Sequence, residues 1–446
     1  MEQIRRGVET WMEACASPHE VVVMQLRGES SDFIRVNRSS IRQAGRVQRA
    51  RFELRLIDPQ RLASVVIHWT VPEGPGAWRT ELDARLVQAR ELLIDASPDP
   101  YLDWTAQGWT SSVDLLQSHP DPRALADTLT QRIPQGELVG FCMSGPQFLG
   151  LWSSVGLALW HACSRCSIDA SLYAGAPAPP DKAVKFQWSG SHWEPEQILQ
   201  NLAMAQKRAQ VLRQPEIRLA PGQVRAWLAP AATAELLGML NWGGFSATAL
   251  RSGQSPLIDL EQARVQLSPK VHLFEALELA AAPVFDAQGR KRAARIPLVE
   301  NGRWVQGLVG PRSAKEFDLA LNGAAAHETP EVLCMAPGEL PSKLALQQLG
   351  TGLAISNLWY LNFSDRQRCR VTGMTRFATV WVQDGEPVAP VAPMRFDDSV
   401  LELLGSRLEA IEDTAHWHQD TESYDWRSFH GSQVPGLLVN AITLAL

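Results

Sequence analysis

The sequence predicts an α+β fold in two domains, an N-terminal antiparallel sheet with helices (residues 1–215) and a C-terminal, mostly-β domain with a few helices (residues 224–446). Three observations predict it. Strand-period alternation recurs along both halves, as in "RVQRARFELRLI", where Val47, Ala50, Phe52, Leu54 and Leu56 oppose Arg and Glu. Helix-period segments punctuate these strands in the first half. Asn301-Gly302 and Asp384-Gly385 each sit between strand-like runs, and both dipeptides tolerate the positive φ that tight hairpins require. With 446 residues the chain exceeds one ordinary core.

In order, "MEQIRRGVETWMEACASPHE" reads as an amphipathic helix with acidic interruptions, unlike a secretory leader. "EVVVMQLRGE" and "DFIRVNR" read as two strands across a short polar turn, followed by "RVQRARFELRLI" and "RLASVVIHWT". "AWRTELDARLVQARELLIDAS" places Leu82, Leu86, Ala89 and Leu93 on one helical face, and Pro98 and Pro100 stop it. "DPRALADTLTQRI" is a helix with Asp121 as N-cap candidate and Pro122 at the first helical position. "ELVGFCMS" and "QFLGLWSS" read as strands separated by a turn at "SGP", residues 144–146, and a long strand covers "LALWHACSRCSIDASLYAG". "EPEQILQNLAMAQKRAQVLRQ" is a helix, and "PEIRLAPGQ" is the connector between domains. Then come the strand "VRAWLA", the apolar helix "TAELLGMLNWGGFSATAL", the two hairpins and a short helix ended by Gly350. A last helix is expected over "VLELLGSRLEAI" and a final strand over "VPGLLVNAITLAL".

Composition narrows the functions. The chain is 45% hydrophobic and 20% charged, with net charge −6 and no long basic stripe, so nucleic-acid binding has no electrostatic footprint. No apolar run has membrane-spanning length. Six cysteines make no disulfide framework, and reduced thiols in the cytoplasm are expected.

"LWHACSRCSID" offers His161, Cys163 and Cys166, but strand alternation sends residues three apart to opposite faces, so this CxxC cannot chelate one ion. "HWHQDTESYDWRSFH" gathers His416, His418, Asp420, Asp425 and His430, which suit zinc in type; a solvated polar loop is the competing account. "AHETPE" contains His327-Glu328 without the second His of a zincin. "GTGL" lacks a dinucleotide loop's third glycine, and neither a nucleophile elbow nor a phosphate-binding loop occurs.

Several motifs in order resemble the TldD/PmbA family: "ASPDPYL" at 96–102, the strand "SSVGLALWHACSRCSIDASL", "APVFDAQG" at 282–289, "LVENGRWVQGLVGPRSAKEF", and "TGLAISNLWYLNFSDRQRCRVTGMTRFATVWVQDGEPVAPV". In that family the TldD branch is a metallopeptidase with a His-Glu-x-x-x-His motif on the helix opening the C-terminal domain, plus a Cys ligand near the C-terminus. The resemblance places those motif slots at Gly238, Met239 and Gly243, and the Cys slot at His430. None of the first three can bind metal or act as a base. The resemblance therefore implies the PmbA/TldE branch: a non-catalytic, zinc-free subunit of a TldD/TldE-like metallopeptidase complex acting on unfolded or modified peptides. It implies a TldD-type partner that carries the zinc, in a heterodimer, with an extended peptide as substrate. The alternatives are a stand-alone homodimeric peptide-binding protein, or a hydrolase using a divergent site at His416, His418 and His430. No other cofactor, nucleic acid or membrane is expected as a partner.

Overall fold

The computed structural model describes residues 2–15, 20–58, 60–69, 77–104, 107–119, 121–131, 137–174, 182–421, 423 and 425–445. Its strands fall into two sheets. The first contains β1 (Val21–Asn37), β2 (Ser40–Ile57), β3 (Leu62–Trp69), β4 (Thr110–Leu115), β5 (Glu137–Ser153), β6 (Ala158–Tyr173) and β7 (Ala183–Gly190). Its order is β3-β2-β1-β5-β6-β4, with β7 also on β6, and every pairing but β4–β6 is antiparallel. Helices α1 (Glu2–Ala14), α2 (Ala77–Asp95), α3 (Pro122–Gln131) and α4 (Pro195–Val211) cover one face, burying Trp11, Leu82, Leu129 and Leu202 against it. The Asp121 carboxylate accepts from the Arg123 N–H at 2.9 Å, so the expected cap is in place.

The second sheet is larger. It comprises β8 (Gly222–Leu228), β9 (Leu273–Ala276), β10 (Arg295–Glu300), β11 (Arg303–Trp304), β12 (Val332–Met335), β13 (Gly352–Ile355), β14 (Asn357–Asp365), β15 (Arg370–Arg376), β16 (Val380–Gln383), β17 (Glu386–Pro390), β18 (Met394–Ser399), β19 (Leu408–Gln419) and β20 (Gly431–Ala445). Strand β20 is its hub, pairing with β8, β12, β18 and β19. Short helices α5 (Pro230–Gly238), α6 (Ala247–Arg251), α7 (Ile258–Glu261), α8 (Pro311–Phe317), α9 (Ala345–Leu349) and α10 (Val400–Leu403) complete this half. Both expected hairpin turns form, with Asn301, Gly302, Asp384 and Gly385 all at positive φ.

Four sequence expectations change. The polar turn inside the first hairpin is absent. Strand β1 runs unbroken because Ser30 and Asp32 find cross-strand partners, Gln48 at 3.1 Å and Arg46 at 2.6 Å. The "SGP" stretch lies inside β5, where the pairing with β1 lapses at Gly145 and Pro146 while the register is kept on both sides. There Gly145 has φ +136°, and a Cβ on it would stand 2.0 Å from the Ser30 carbonyl oxygen, so only glycine fits. The expected last helix is one turn, α10, followed by β19, whose alternating side chains pair with β20. The apolar helix after β8 breaks at Gly238 into a 3-10 turn over Met239–Asn241. Gly243 then takes φ +79°, and a Cβ on Gly244 would lie 2.5 Å from the Leu240 carbonyl oxygen.

The face of the first sheet opposite its helices is not a solvent face. Strand alternation puts Cys166 among the helix-facing residues and Cys163 against Ala276, Val332, Cys334 and Phe429 of the second half. The CxxC sulfurs are thus on opposite faces, and both thiols are free. His161 is buried on the same face as Cys163, its Nε2 3.1 Å from the Ala281 carbonyl and its ring edge-on to Phe429.

Arg427 fastens the two halves. Its guanidinium meets the gap in the β1–β5 ladder and donates to the carbonyls of Gly145 (2.8 Å), Pro146 (3.3 Å) and, from β6, Arg165 (3.2 Å), with Glu29 of β1 at 3.5 Å. Replacing Arg427 with Met leaves these carbonyls without their donor, while Glu29 keeps Arg49 at 2.7 Å. We expect a loss of about 1–3 kcal/mol in urea unfolding. A second expectation concerns acid. Burial pushes His161 down to about 4 from 6.5, so the unfolded chain binds the proton that the folded chain refuses. This contribution is complete above pH 6.5 and is lost as the pH falls toward about 4, at up to about 1.4 kcal/mol per pH unit. Substituting His161→Phe should flatten the stability profile over that range.

Candidate functional site

Strand β19 ends at Gln419, paired with Gly431 at the start of β20. Between them the chain leaves the second sheet, crosses to the first and returns, and Asp420 N–H to His430 O (3.1 Å) closes the neck of this loop. Trp426 lies beneath two guanidinium groups of the first sheet, Arg49 at 4.1 Å and Arg27 at 5.3 Å from the ring centre. Arg49 donates to the Asp425 carbonyl, while Arg27 (3.2 Å) and Gln147 (2.7 Å) donate to the Arg427 carbonyl.

One side of this loop bounds an interdomain cleft of about 530 Å³. Gln25 and Arg27 of β1 form one wall, and Asp286, His327, Glu331 and His430 line the other. A chain of charges runs into it. Glu275 and Arg292 form a buried ion pair at 3.1 Å, and Arg292 reaches Glu331, also at 3.1 Å. Glu331 Oε1 in turn stands 3.9 Å from the Nε2 atoms of both His327 and His430, whose rings stack with centres 6.4 Å apart. Burial holds His327 below its ordinary value; Glu331 opposes this, and His430 and Arg292 reinforce it. Burial raises the Asp286 carboxyl despite the Arg290 and Gln288 N–H groups on its Oδ1. Its Oδ2 is buried with no partner among the described residues. Two imidazoles beside one carboxylate can exchange protons and hydrogen-bond a polar backbone.

Of the three C-terminal histidines expected from the sequence, the cleft takes His430 alone. His416 lies out on β19, lowered by burial and by the Arg208 charge of α4. Burial, then His416, lowers His418 to about 4, and its Nε2 has no partner among the described residues. Asp420 and Asp425 do line the cleft. Among the described residues no three His, Cys, Asp or Glu side chains are grouped so that they could hold a metal ion.

The other candidate positions are far less polar. Gly238 closes α5, and a Cβ there would meet nothing within 4 Å. Met239 is buried in the second core, and a Cβ on Gly243 would stand 3.1 Å from Arg366 Nη2. The sequence offers His327 only as half of a zincin motif and gives Glu331 and Asp286 no site role. The available signal is "HETPE", whose His327 and Glu331 are four residues apart. Glu328 turns away from the cleft. Its carboxylate takes Ser246 Oγ (2.6 Å), Thr248 N–H (2.9 Å), Gly310 N–H (2.9 Å) and the Ser313 hydroxyl, tying α6 to α8.

Burial alone would raise the Glu328 carboxyl, but these hydrogen bonds outweigh it and its pKa is lowered. Its contribution is therefore complete above the ordinary value of 4.5 and is lost as the pH falls through the lower folded value. A Glu328→Gln variant should lose about 1–3 kcal/mol at pH 7 in urea unfolding, with the gap to the parent narrowing below pH 4.5.

The family model of the PmbA/TldA metallopeptidase C-terminal domain matches residues 221–446. No curated protein matches the chain. Among solved structures, TldE from Thermococcus kodakarensis aligns over 100% of both chains, with a TM-score of 0.77 and 13% identity. A proposed modulator of a DNA gyrase from Thermotoga maritima covers 100% of this chain and 99% of its own, at TM-score 0.76 and 13% identity. One from Bacteroides thetaiotaomicron has the same coverage, at 0.73 and 14%. At such identities these likenesses speak for the fold. The match over the whole second half supports more: the chain belongs to the PmbA/TldD family.

Proposed function

We propose that this chain is a non-catalytic PmbA/TldE-type subunit of a metallopeptidase complex acting on unfolded or modified peptides. The observation that carries the reading is α5. A His-Glu-x-x-x-His motif displays its two imidazoles and its carboxylate from one continuous helix. Here the slots hold Gly238, Met239 and Gly243, and the helix stops at the first of them. Side chains at 239 and 243 would leave from a 3-10 turn and from a left-handed residue. Restoring the motif letters would therefore not restore its geometry. In this reading the zinc and the general base come from a TldD-type partner in a cytoplasmic heterodimer. The cleft between the two sheets, with paired imidazoles and the unpartnered Asp286 oxygen, is suited to hold polar peptide backbone.

A second reading is favoured by one cluster: His327 and His430 beside Glu331 resemble an acid–base centre, which would make the chain a divergent hydrolase. A stand-alone homodimeric peptide-binding protein is the third. One experiment separates them. The purified chain alone should contain no stoichiometric zinc and cleave no unfolded test peptide, and cleavage should appear when a TldD-type subunit is added and co-elutes with it. Zinc-bearing, active protein without the partner defeats the proposal, and loss of that activity in His327→Ala and His430→Ala would establish the second reading. A homodimer that ignores the partner would establish the third.

A further inference from the structure

On the other side of the 420–430 loop lies a smaller chamber of about 260 Å³, closed by β5, β6 and β7 of the first sheet and by Trp417 and Gln419 of β19. Four of its residues, Met143, Gln147, Arg165 and Ser167, are neighbours on one sheet face. Gly145 pairs with Arg165 and Met143 with Ser167, and Gln147 is two residues further along β5. Arg165 is a cation without a counter-ion among the described residues. Its partners there are neutral: the Gln419 amide oxygen at 2.6 Å, the Cys163 thiol and the ring of Phe429 at 5.6 Å. Its Nε is sealed from solvent and bonds to nothing described. Arg427, the other guanidinium in the lining, is already committed to carbonyls and to Glu29. Gln147 is 3% exposed; its Nε2 donates to the Arg427 carbonyl, so the amide cannot be flipped, and its Oε1 is left without a donor. Ser167, Ser189 and Thr421 add hydroxyls to the wall, and Asp420, at the neck of the loop, lines both this chamber and the cleft.

A buried cation lacking an anion, beside an acceptor lacking a donor, defines a complementary ligand. We infer that this chamber binds a carboxylate carried next to an N–H group, the arrangement in a free α-amino acid and at the last residue of a peptide. The carboxylate lies against Arg165 and the N–H donates to Gln147 Oε1. The volume is below the roughly 300 Å³ at which pockets for drug-sized ligands begin, so the occupant is a small molecule or the end of a longer one. This site stands whether or not the chain has a metallopeptidase partner.

Titration calorimetry on the full chain tests it with four probes: Ala-Ala-Ala, its C-terminal amide, free alanine and inorganic phosphate. The free-acid tripeptide should bind at least tenfold more tightly than the amide, because a charge-assisted pair is lost with the carboxylate. Comparable binding of alanine marks a free amino acid as the source; much weaker binding marks a peptide terminus. In Arg165→Met the preference for the free acid should vanish. Should that variant fail to fold, Ser167→Glu decides, since it supplies a built-in carboxylate two residues along the same face of β6. It should keep the parent's Tm and lose at least tenfold in affinity for the free acid. Equal affinity for acid and amide, binding of phosphate alone, or unchanged acid binding in a folded variant overturns the inference.

Discussion

The buried guanidinium of Arg427 is the constraint on which much else in this molecule depends. A cation so far from water must find acceptors within the protein, and an unbroken antiparallel ladder has none to spare. A gap in the β1–β5 ladder provides them. Gly145 and Pro146 lie opposite Ser30 and Ser31 without pairing to them, which leaves their carbonyls for Arg427, and the left-handed Gly145 fits because it has no Cβ. Once Arg427 is seated, the loop from Asp420 to His430 must lie across the first sheet. Trp426 is then drawn under Arg49 and Arg27, and the cleft and the chamber open on either side.

The same docking explains the electrostatics. Charges that would be solvated on separate halves are enclosed between them, so they are arranged in relays: Glu275 to Arg292 to Glu331, and onward to the two imidazoles. Where no relay is available, the burial is unbalanced. Asp286 and His161 are displaced from their ordinary protonation by desolvation first of all. Such unbalanced groups gather where the two sheets meet.

Helix α5 marks the other boundary of function. Its apolar residues, Ala232, Leu236 and Leu237, are buried in the second core. Its terminus at Gly238, with Gly243 and Gly244 beyond, turns the chain sharply through a 3-10 turn and a left-handed residue.

The sequence by itself determined the α+β class, the long helices, both hairpin turns and the separation of Cys163 from Cys166. These follow from local rules: side-chain period, caps, and the φ preferences of Asn-Gly and Asp-Gly. Tertiary structure decided whatever depended on partners distant in sequence. Ser30 and Asp32 stay in a strand because Gln48 and Arg46 receive them, and "SGP" stays inside β5 because an arginine some 280 residues later takes the carbonyls that the ladder leaves unpaired. His430 joins His327, not His416 or His418, because the loop that carries it is pulled onto the other sheet. No period or motif encodes that choice; it is made by the cost of burying one charge and the acceptors that only the folded chain assembles around it.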